Sequence, residues 1–283
     1  MPNLFRSLIF VPGNNPKFLA KSLMLHADII CLDLEDSVPL NQKSEARRLI
    51  SDLLSKDRSN SVFVRINNPN TSLYIDDLKY IMKGTPPDGV VIPKVNDTKD
   101  LHRVLDLTKE LEPAGCKTLM LPSIESAAGV LNTHDIACSE RVCSVVFGIF
   151  DLLNDMGVEY TKSTETAIYS RSKVPVDATA AGVAAIDGIW QDIHDVEGFE
   201  ADCKFGRSLG YSGKSLIHPA QIDTTHTLFA PTPSEMDWAR RVCDTYEHTL
   251  QSGKGATTLD GRMIDEVHYK QALAVLNATE SKN

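Results

Sequence analysis

The chain has 283 residues, a formal net charge of −9 and 42% hydrophobic residues, a composition typical of a soluble globular protein. The acidic balance argues against nucleic-acid binding, because a protein that neutralises phosphates needs a basic surface. No apolar run approaches the roughly 18 residues that would span a bilayer, so we expect no membrane partner. Six cysteines without a CxxC pair, and an N-terminus without a signal or transit pattern, favour a cytoplasmic protein with reduced thiols.

Eight short apolar runs alternate with longer segments of helical period. The runs are Ser7–Val11, Ile29–Leu34, Val62–Ile66, Gly89–Pro93, Thr118–Pro122, Ser144–Ile149, Ala185–Trp190 and Ser215–His218. Between them, segments such as Glu45–Lys56 and Leu101–Leu111 carry apolar residues at helical spacing. Eight strands that alternate with helices predict an α/β protein with a TIM-type (β/α)8 barrel. An open, doubly wound sheet with fewer strands stays possible at this stage.

The pattern changes after the eighth run. A helix is predicted over Asp237–Leu250, a glycine-rich segment follows, and Val267–Asn277 again has helical period. We therefore expect residues 1–222 to form the catalytic barrel and residues 223–283 to form a C-terminal helical appendage. Flexible glycines on both sides suit a lid, or an arm that reaches a neighbouring subunit. A frayed tail is the alternative.

Polar residues follow the predicted strands. In a parallel barrel, the carboxyl ends of the strands form the active-site face. The polar residues at these ends are Asn14, Asp33, Glu35, Asp36, Arg65, Asn67, Lys94, Ser123, Glu125, Asp151, Asp192 and His218. Each of them alone could be a helix cap or a surface charge, but their convergence predicts a functional site at this face.

Glu125 and Asp151 follow successive strands, so their carboxylates could meet across the barrel mouth. Two hard oxygen ligands with open water positions suit Mg²⁺, and the same pair could instead act as acid and base. Each carboxylate could also simply cap the helix that follows it. Asp155 lies one helical turn further along, and we expect it to be solvated or to cap a helix.

Two basic residues end buried strands. A buried guanidinium needs an opposite charge, so Arg65 should face a carboxylate of a ligand, or one of Glu35 and Asp36. Lys94 has a similar position, where it would form a salt bridge inside the barrel or a Schiff base with a carbonyl substrate. His218 could ligate or titrate, although a hydrogen-bonded structural role is the simpler interpretation.

The segment FVPGNNPKFLAK joins a strand, a glycine turn and a helix start, which are the components of an anion site. Lys17 and Lys21 lie four residues apart and add positive charge to one face of the predicted helix. The alternative is that both lysines are merely solvated. In an acidic chain, this local positive charge is a candidate contact for an anionic ligand.

Seven segments closely resemble the citrate lyase beta-subunit family, which includes malyl-CoA and citramalyl-CoA lyases. The segments are RSLIFVPGNNPKFLAK, CLDLEDSV, VRIN, PSIESAAGV, FGIFDLLNDMG, GYSGKSLIHPAQI and GRMID. They occur in order over almost the whole chain. The resemblance implies a TIM barrel with a C-terminal lid, a bound Mg²⁺, an acyl-CoA or acyl-carrier thioester substrate, and a homotrimer or larger assembly.

The resemblance also implies roles for single residues. Glu125 and Asp151 match the magnesium ligands, and Arg65 matches the residue that contacts the substrate oxygens. The positions that grip coenzyme A or touch the ligand correspond to Phe10, Lys17, Lys21, Ile217 and His218. Asp265 matches a lid carboxylate that acts as acid or base from a neighbouring subunit, but here Glu266 and Val267 follow it, where many relatives have a proline at the second position.

The reaction implied is Mg²⁺-dependent cleavage of a 3-hydroxyacyl-CoA, such as malyl-CoA, citramalyl-CoA or citryl-CoA, to acetyl-CoA and a 2-oxo acid. A thioesterase or a malate-synthase-like condensation on the same scaffold is one alternative. A citrate lyase beta subunit that acts only with its partner proteins is another. The sequence does not distinguish between the thioesters, because the side chains that line the acyl pocket are set by the fold.

Overall fold

The computed structural model describes residues 5–162 and 165–280 and contains a closed barrel of eight parallel strands. The strands are β1 Ser7–Pro12, β2 Ile29–Asp33, β3 Ser61–Arg65, β4 Gly89–Ile92, β5 Leu119–Ile124, β6 Ser144–Phe147, β7 Ala184–Asp187 and β8 Gly213–Leu216. They pair in chain order, and β8 pairs back with β1 to close the barrel. This topology confirms the predicted TIM-type fold and excludes the open sheet.

Helices connect the strands. They are α1 Pro16–Ser22, α2 Lys43–Leu54, α3 Leu73–Ile81, α4 Thr98–Leu111, α5 Ala127–Leu131, α6 Thr133–Ala137, α7 Ile149–Asp155, α8 Ile168–Ala180, α9 Val196–Ser208 and α10 Gln221–Phe229. Helix α4 shows the local cause, because the Asp97 side chain accepts hydrogen bonds from the first free backbone N–H groups. Its buried residues Leu101, Val104 and Leu105 recur at helical spacing.

Apolar side chains from β1 to β7 fill the barrel. The buried cluster consists of Leu8, Ile29, Cys31, Phe63, Val91, Leu121, Val146 and Ile186. Gly89 on β4 makes room for the Phe63 ring, since a Cβ at position 89 would lie 2.1 Å from a ring carbon. The interior is therefore packed, and the polar strand ends are left for the mouth.

A buried charge network, formed by Arg171, Asp187, Asp202 and Lys214, joins the sheet to its helices. Lys214 of β8 contacts Asp202 of α9 at 2.5 Å and Asp187 of β7 at 3.0 Å. Arg171 of α8 contacts Asp202 at 2.7 Å and also pairs with Asp187. Because each charge has at least two opposite partners, the network satisfies groups that would be costly to bury alone.

Four predicted strand ends differ from the structure by two or three residues. β5 continues past Pro122 to Ile124, and β8 ends at Leu216 rather than at His218. β6 ends at Phe147, and Ile149 already begins α7, while β7 ends at Asp187, well before Trp190. Ile149 and Trp190 are both buried. At β6 and β7 the apolar segment of the sequence extends past the end of the strand. Periodicity alone does not separate a buried strand from the buried residues that follow it.

Contacts divide the chain into two compact units, with the boundary between His226 and Thr227. The second unit contains α11 Pro233–Gln251, the antiparallel hairpin β9 Ala256–Leu259 and β10 Arg262–Asp265, and α12 Glu266–Glu280. Its buried core consists of Ala239, Val242, Cys243, Ile264 and Ala272. The hairpin was not predicted from the sequence. Across the described ranges, the helices are too short or too polar to cross a bilayer.

Candidate active site

A cavity of about 580 Å³ lies where the barrel strands end. Seven of the residues singled out in the sequence line it: Phe10, Asp33, Asp36, Arg65, Glu125, Asp151 and Ile217. Lys17, Lys21 and His218 are exposed and are not part of this lining. Of the twelve predicted strand-end residues, five line the cavity, and Glu35 and Lys94 contact members of that five. The cavity is the candidate active site.

Arg65 is held in the cavity wall by Asp33. The two residues are direct partners in the β2–β3 ladder. The guanidinium donates Nε–H and Nη2–H to the two oxygens of Asp33, each at 2.7 Å, and its Nη1 lies 3.3 Å from Glu35. The Phe10 ring centre is 4.5 Å from the guanidinium carbon. The sequence predicted Glu35 or Asp36 as the protein partner of Arg65. In the structure Arg65 pairs with Glu35 and with Asp33.

Burial and charge together set the ionisation of this pair. Burial opposes the charged form of Asp33, but the adjacent Arg65 guanidinium holds the pKa of Asp33 below its usual value. Burial likewise opposes the charge on Arg65, whose pKa is nevertheless raised well above normal by Asp33 and Glu35. Both groups are therefore charged at neutral pH, and Arg65 presents a fixed positive charge to the cavity.

Glu125 directly follows β5 and is 7% exposed. Its Oε2 accepts a hydrogen bond of 3.2 Å from the backbone N–H of Lys94. Burial, followed by repulsion from Glu35, raises the pKa of Glu125 to about 8, even though Arg65 favours ionisation. The surrounding positive charge therefore does not offset burial and the neighbouring acids, and the pKa of Glu125 stays raised.

Gly148 allows Glu125 and the start of α7 to approach each other. A Cβ at position 148 would lie 2.3 Å from Cγ of Glu125 and 3.0 Å from its carboxyl oxygen, so a side chain does not fit there. Asp151 lies in the first turn of α7, with its side chain 41% exposed at the cavity. Asp155 instead accepts a hydrogen bond of 2.8 Å from the Ala127 N–H at the start of α5, in agreement with its expected capping role.

Lys94 bridges the carboxylates of the mouth. Its Nζ lies 2.8 Å from Glu35, 3.4 Å from Asp36 and 3.5 Å from Asp151. Its backbone has φ 55°, in the left-handed region that favours glycine. Burial opposes the charge, but the carboxylates, first of all Glu35, raise the pKa of Lys94 above its ordinary value. A firmly protonated amine is a poor nucleophile, so this geometry supports the salt-bridge role and disfavours the Schiff base.

Glu125 and Asp151, the carboxylates that the sequence predicts as metal ligands, both line this cavity, together with Asp33 and Asp36. Within residues 5–162 and 165–280, no group of three His, Cys, Asp or Glu side chains is arranged to hold a metal ion. Mg²⁺ commonly uses only one or two protein carboxylates and completes its shell with water and substrate. The donor chemistry therefore fits Mg²⁺.

The turn after β8 is fixed by a side chain. Oε1 of Gln221 accepts hydrogen bonds from the N–H groups of Ile217 and His218, at 3.1 and 3.2 Å. Ile217 is held at the cavity, whereas Nδ1 of His218 accepts from the Ala220 N–H at 3.2 Å. His218 thus has the hydrogen-bonded structural contact that was its simpler interpretation.

Asp265, in the second unit, caps α12. Its Oδ1 accepts hydrogen bonds from the N–H groups of Val267 and His268, at 3.0 and 3.3 Å, and lies 2.7 Å from Nδ1 of His268. The contact with His268 is the main cause of the lowered pKa of Asp265. The carboxylate is therefore ionised and oriented at the end of the hairpin.

Three polar lining residues were not singled out in the sequence: Ser37, Gln191 and Ser215. Ser37 and Gln191 lie in loops, where the chain carries no periodic signal. Ser215 could have been recognised from the sequence as a candidate, because it is a hydroxyl residue inside a buried strand, next to Lys214. Only the fold shows that Lys214 and Ser215 lie on opposite faces of β8.

Comparisons with known proteins agree with this site. A family model described as HpcH/HpaI aldolase/citrate lyase matches residues 6–219. The chain is 32% identical over 279 residues to a (3S)-malyl-CoA thioesterase of Cereibacter sphaeroides, covering 98% of this chain and 95% of that protein. It is 34% identical over 287 residues to the citrate lyase subunit beta of Escherichia coli, covering 97% and 93%.

Among solved structures, the chain resembles CitE of Mycobacterium tuberculosis in complex with magnesium, acetoacetate and coenzyme A. The TM-score is 0.80 at 27% identity, and the match covers 99% of this chain and 100% of that one. The barrel, the acidic cavity and the extent of these matches lead to the same conclusion. The protein is an enzyme that belongs to the HpcH/HpaI aldolase/citrate lyase family.

Proposed function

We propose that the protein is a Mg²⁺-dependent carbon–carbon lyase that cleaves a 3-hydroxyacyl-CoA thioester to acetyl-CoA and a 2-oxo acid. The observation that carries this proposal is that the buried Glu125 lines the same cavity as Asp151 and Arg65. Such a carboxylate suits a divalent cation, and the guanidinium suits an anionic substrate. The related CitE structure contains magnesium and coenzyme A, which supports a metal ion and a coenzyme A thioester as the ligands of this site.

The reaction makes definite demands on the protein. The C3 hydroxyl loses its proton to solvent water, and the C2–C3 bond breaks with its electron pair moving to the thioester enolate. The C3–O bond becomes the carbonyl of the oxo acid. The enolate carbon then takes up a proton to give acetyl-CoA. Held by Glu125 and Asp151, Mg²⁺ would supply a Lewis acid for the oxygens of the oxo acid.

Arg65 supplies the fixed positive charge for this chemistry. Its two hydrogen bonds to Asp33 orient the guanidinium before substrate arrives, so little reorganisation is needed when negative charge develops. Lys94 neutralises part of the charge on Glu35 and Asp151 and limits the repulsion between the carboxylates of the mouth. We assign it a positioning role.

Asp265, delivered by a neighbouring subunit of a homotrimer or larger assembly, is proposed to protonate the enolate carbon. Because its carboxylate is ionised at rest, it would first take up a proton from solvent water. The proposed division is a catalytic barrel over residues 1–222 and a lid over residues 223–283. Coenzyme A would contact Phe10, Lys17, Lys21, Ile217 and His218. The two exposed lysines suit its phosphates, because an otherwise acidic chain needs local positive charge to bind an anion.

The test is to incubate the protein with malyl-CoA, citramalyl-CoA and citryl-CoA and to measure the 2-oxo acid released. We expect one of them to be cleaved, EDTA to abolish the activity, and Asp151→Asn to lower kcat/KM at least about 100-fold. Asp155→Asn is the matched control, because Asp155 lies one turn away and bonds to α5 instead. Full activity in EDTA, or in Asp151→Asn, would refute the metal role.

A thioesterase is the second candidate, because a relative at 32% identity carries that name. Release of free coenzyme A without a C2–C3 cleavage product from malyl-CoA would select it. A third outcome follows from the citrate lyase subunit among the relatives. Inactivity of the isolated chain, with activity restored by partner subunits, would make the protein a complex-dependent subunit.

A further inference from the structure

Ser215 lies in the middle of β8, at the position that faces the barrel interior. Its register partner on β1 is Leu8, a member of the barrel core. The preceding residue, Lys214, is held on the opposite face by its contacts with Asp187 and Asp202. Because successive side chains of a strand point to opposite faces, these ion pairs fix Ser215 toward the cavity.

The Ser215 hydroxyl is buried and lacks a partner. The residue is 2% exposed, and within the described part of the chain its Oγ has no hydrogen-bond partner. A buried hydroxyl in that state is unfavourable unless something else bonds to it. Thr108 of α4 also has a buried hydroxyl without a partner, but it lies outside the cavity lining. Ser215 differs because it lines the 580 Å³ cavity.

The surroundings of Ser215 indicate which part of a substrate reaches it. The acidic residues and Arg65 line the side formed by β2, β3, β5 and α7. The side formed by β6, β7 and β8 carries the apolar Val146, Ile189 and Ile217 and the uncharged Gln191. Ile217, the next residue on the same face, is 37% exposed, so Ser215 lies deeper than the rim. A small acid can reach this depth, while a bulky coenzyme A tail has to stay nearer the opening.

We infer that Ser215 Oγ is a substrate-recognition group that donates a hydrogen bond to an oxygen atom of the 2-oxo acid half of the substrate. This inference rests on the proposed function and extends it, because it names a polar contact on the side of the cavity away from the carboxylates. The serine, Arg65 and the proposed metal would then hold the acid from opposite sides. Its orientation would be set before bond cleavage.

The test measures binding of glyoxylate, of pyruvate and of oxaloacetate, each with MgCl₂, by titration calorimetry on the full-length protein. Ser215→Ala should weaken binding of the acid that the wild type binds by about tenfold, because a hydrogen bond to a charged group is lost. The same substitution should leave acetyl-CoA binding and the thermal midpoint unchanged or slightly improved. Thr108→Val is the control for removal of an unpartnered hydroxyl and should change neither ligand affinity.

Three results would overturn the inference. They are wild-type oxo-acid affinity in Ser215→Ala, a loss confined to acetyl-CoA, and absence of oxo-acid binding by the wild type. The proposed function fails separately, when the wild type binds an oxo acid but cleaves none of the three thioesters. Conversely, if the wild type cleaves a thioester and Ser215→Ala keeps wild-type oxo-acid affinity, only the role of Ser215 is refuted.

Discussion

At the scale of single residues, the site depends on the absence of a Cβ at Gly148 as much as on the charges around it. Glu125 occupies the space in which a Cβ of residue 148 would lie. We expect Gly148→Ala to displace the Glu125 carboxyl and to weaken Mg²⁺ binding at least tenfold, with a matching loss of kcat/KM. Titration calorimetry with MgCl₂ checks this. Retention of wild-type metal affinity in a folded Gly148→Ala variant would contradict the proposed ligand geometry.

The sequence predicted most residues of the candidate site but not how they pair. Arg65 was expected to need a carboxylate, and that expectation follows from burial alone. The identity of the partner depends on strand register, which places Asp33 directly beside Arg65 on the neighbouring strand. Sequence spacing does not distinguish Asp33 from Asp36 as the partner of Arg65, because Asp33, Glu35 and Asp36 all lie at the end of the same predicted strand.

At the scale of elements, the buried charge network fixes β7 and β8 to α8 and α9. Lys214→Met removes one cation and leaves Asp187 and Asp202 with Arg171 as their remaining partner in the network. We expect this change to lower the free energy of unfolding by about 3–5 kcal/mol, as for other buried pairs that lose one member. Urea unfolding at pH 7 measures it.

The matched control is Lys204→Met on α9, whose pair with Glu200 is exposed. Exposed ion pairs contribute little, so we expect a change of at most about 0.5 kcal/mol. Equal effects of the two lysine substitutions would show that the network does not stabilise the fold.

The network also predicts a pH dependence. Burial opposes ionisation of Asp202, but Lys214 and Arg171 hold its pKa below the ordinary value of 3.8. The resulting stabilisation is fully present above the unfolded-state pKa and is lost as the pH falls through the lower, folded-state pKa. The stability difference between wild type and Lys214→Met should therefore narrow below about pH 4. Urea midpoints at pH 3, 4 and 7 check this, and a difference that stays constant would exclude Asp202 as its source.

The strand order was predictable from the sequence because each strand is a short apolar run between helices. The hairpin of the second unit was not, because β9 and β10 are four residues each and only Ile264 is fully buried. Exposed strands lack the alternation that identifies a half-buried one. The glycines that indicated flexibility in the sequence instead flank the hairpin and form its turn, where Asp260 and Gly261 both have positive φ.

At the scale of the whole molecule, the proposed site combines residues of a barrel with Asp265 from a neighbouring subunit. Mixing two inactive variants, Asp151→Asn and Asp265→Ala, should then restore activity. In randomly mixed assemblies, about a quarter of the sites would combine an intact barrel with an intact lid, so turnover should approach about a quarter of the wild-type value. The measurement is activity after the variants are co-expressed or exchanged.

Each variant alone is the control for this experiment, and both should stay inactive after the same treatment. Complete failure of the mixture to regain activity, although mixed assemblies form, would mean that Asp265 serves the barrel of its own chain or none at all. Size-exclusion chromatography with differently tagged variants confirms that mixed assemblies are present.

The left-handed backbone at Lys94 restricts how the sequence can vary. Glycine would adopt φ 55° without strain, so the backbone conformation alone favours glycine over lysine at position 94. Glu35, Asp36 and Asp151 instead favour a cation at that position. No single replacement satisfies both demands. Removal of the cation would therefore relieve the backbone but leave Glu35, Asp36 and Asp151 without this shared partner, a conflict that composition and periodicity do not reveal.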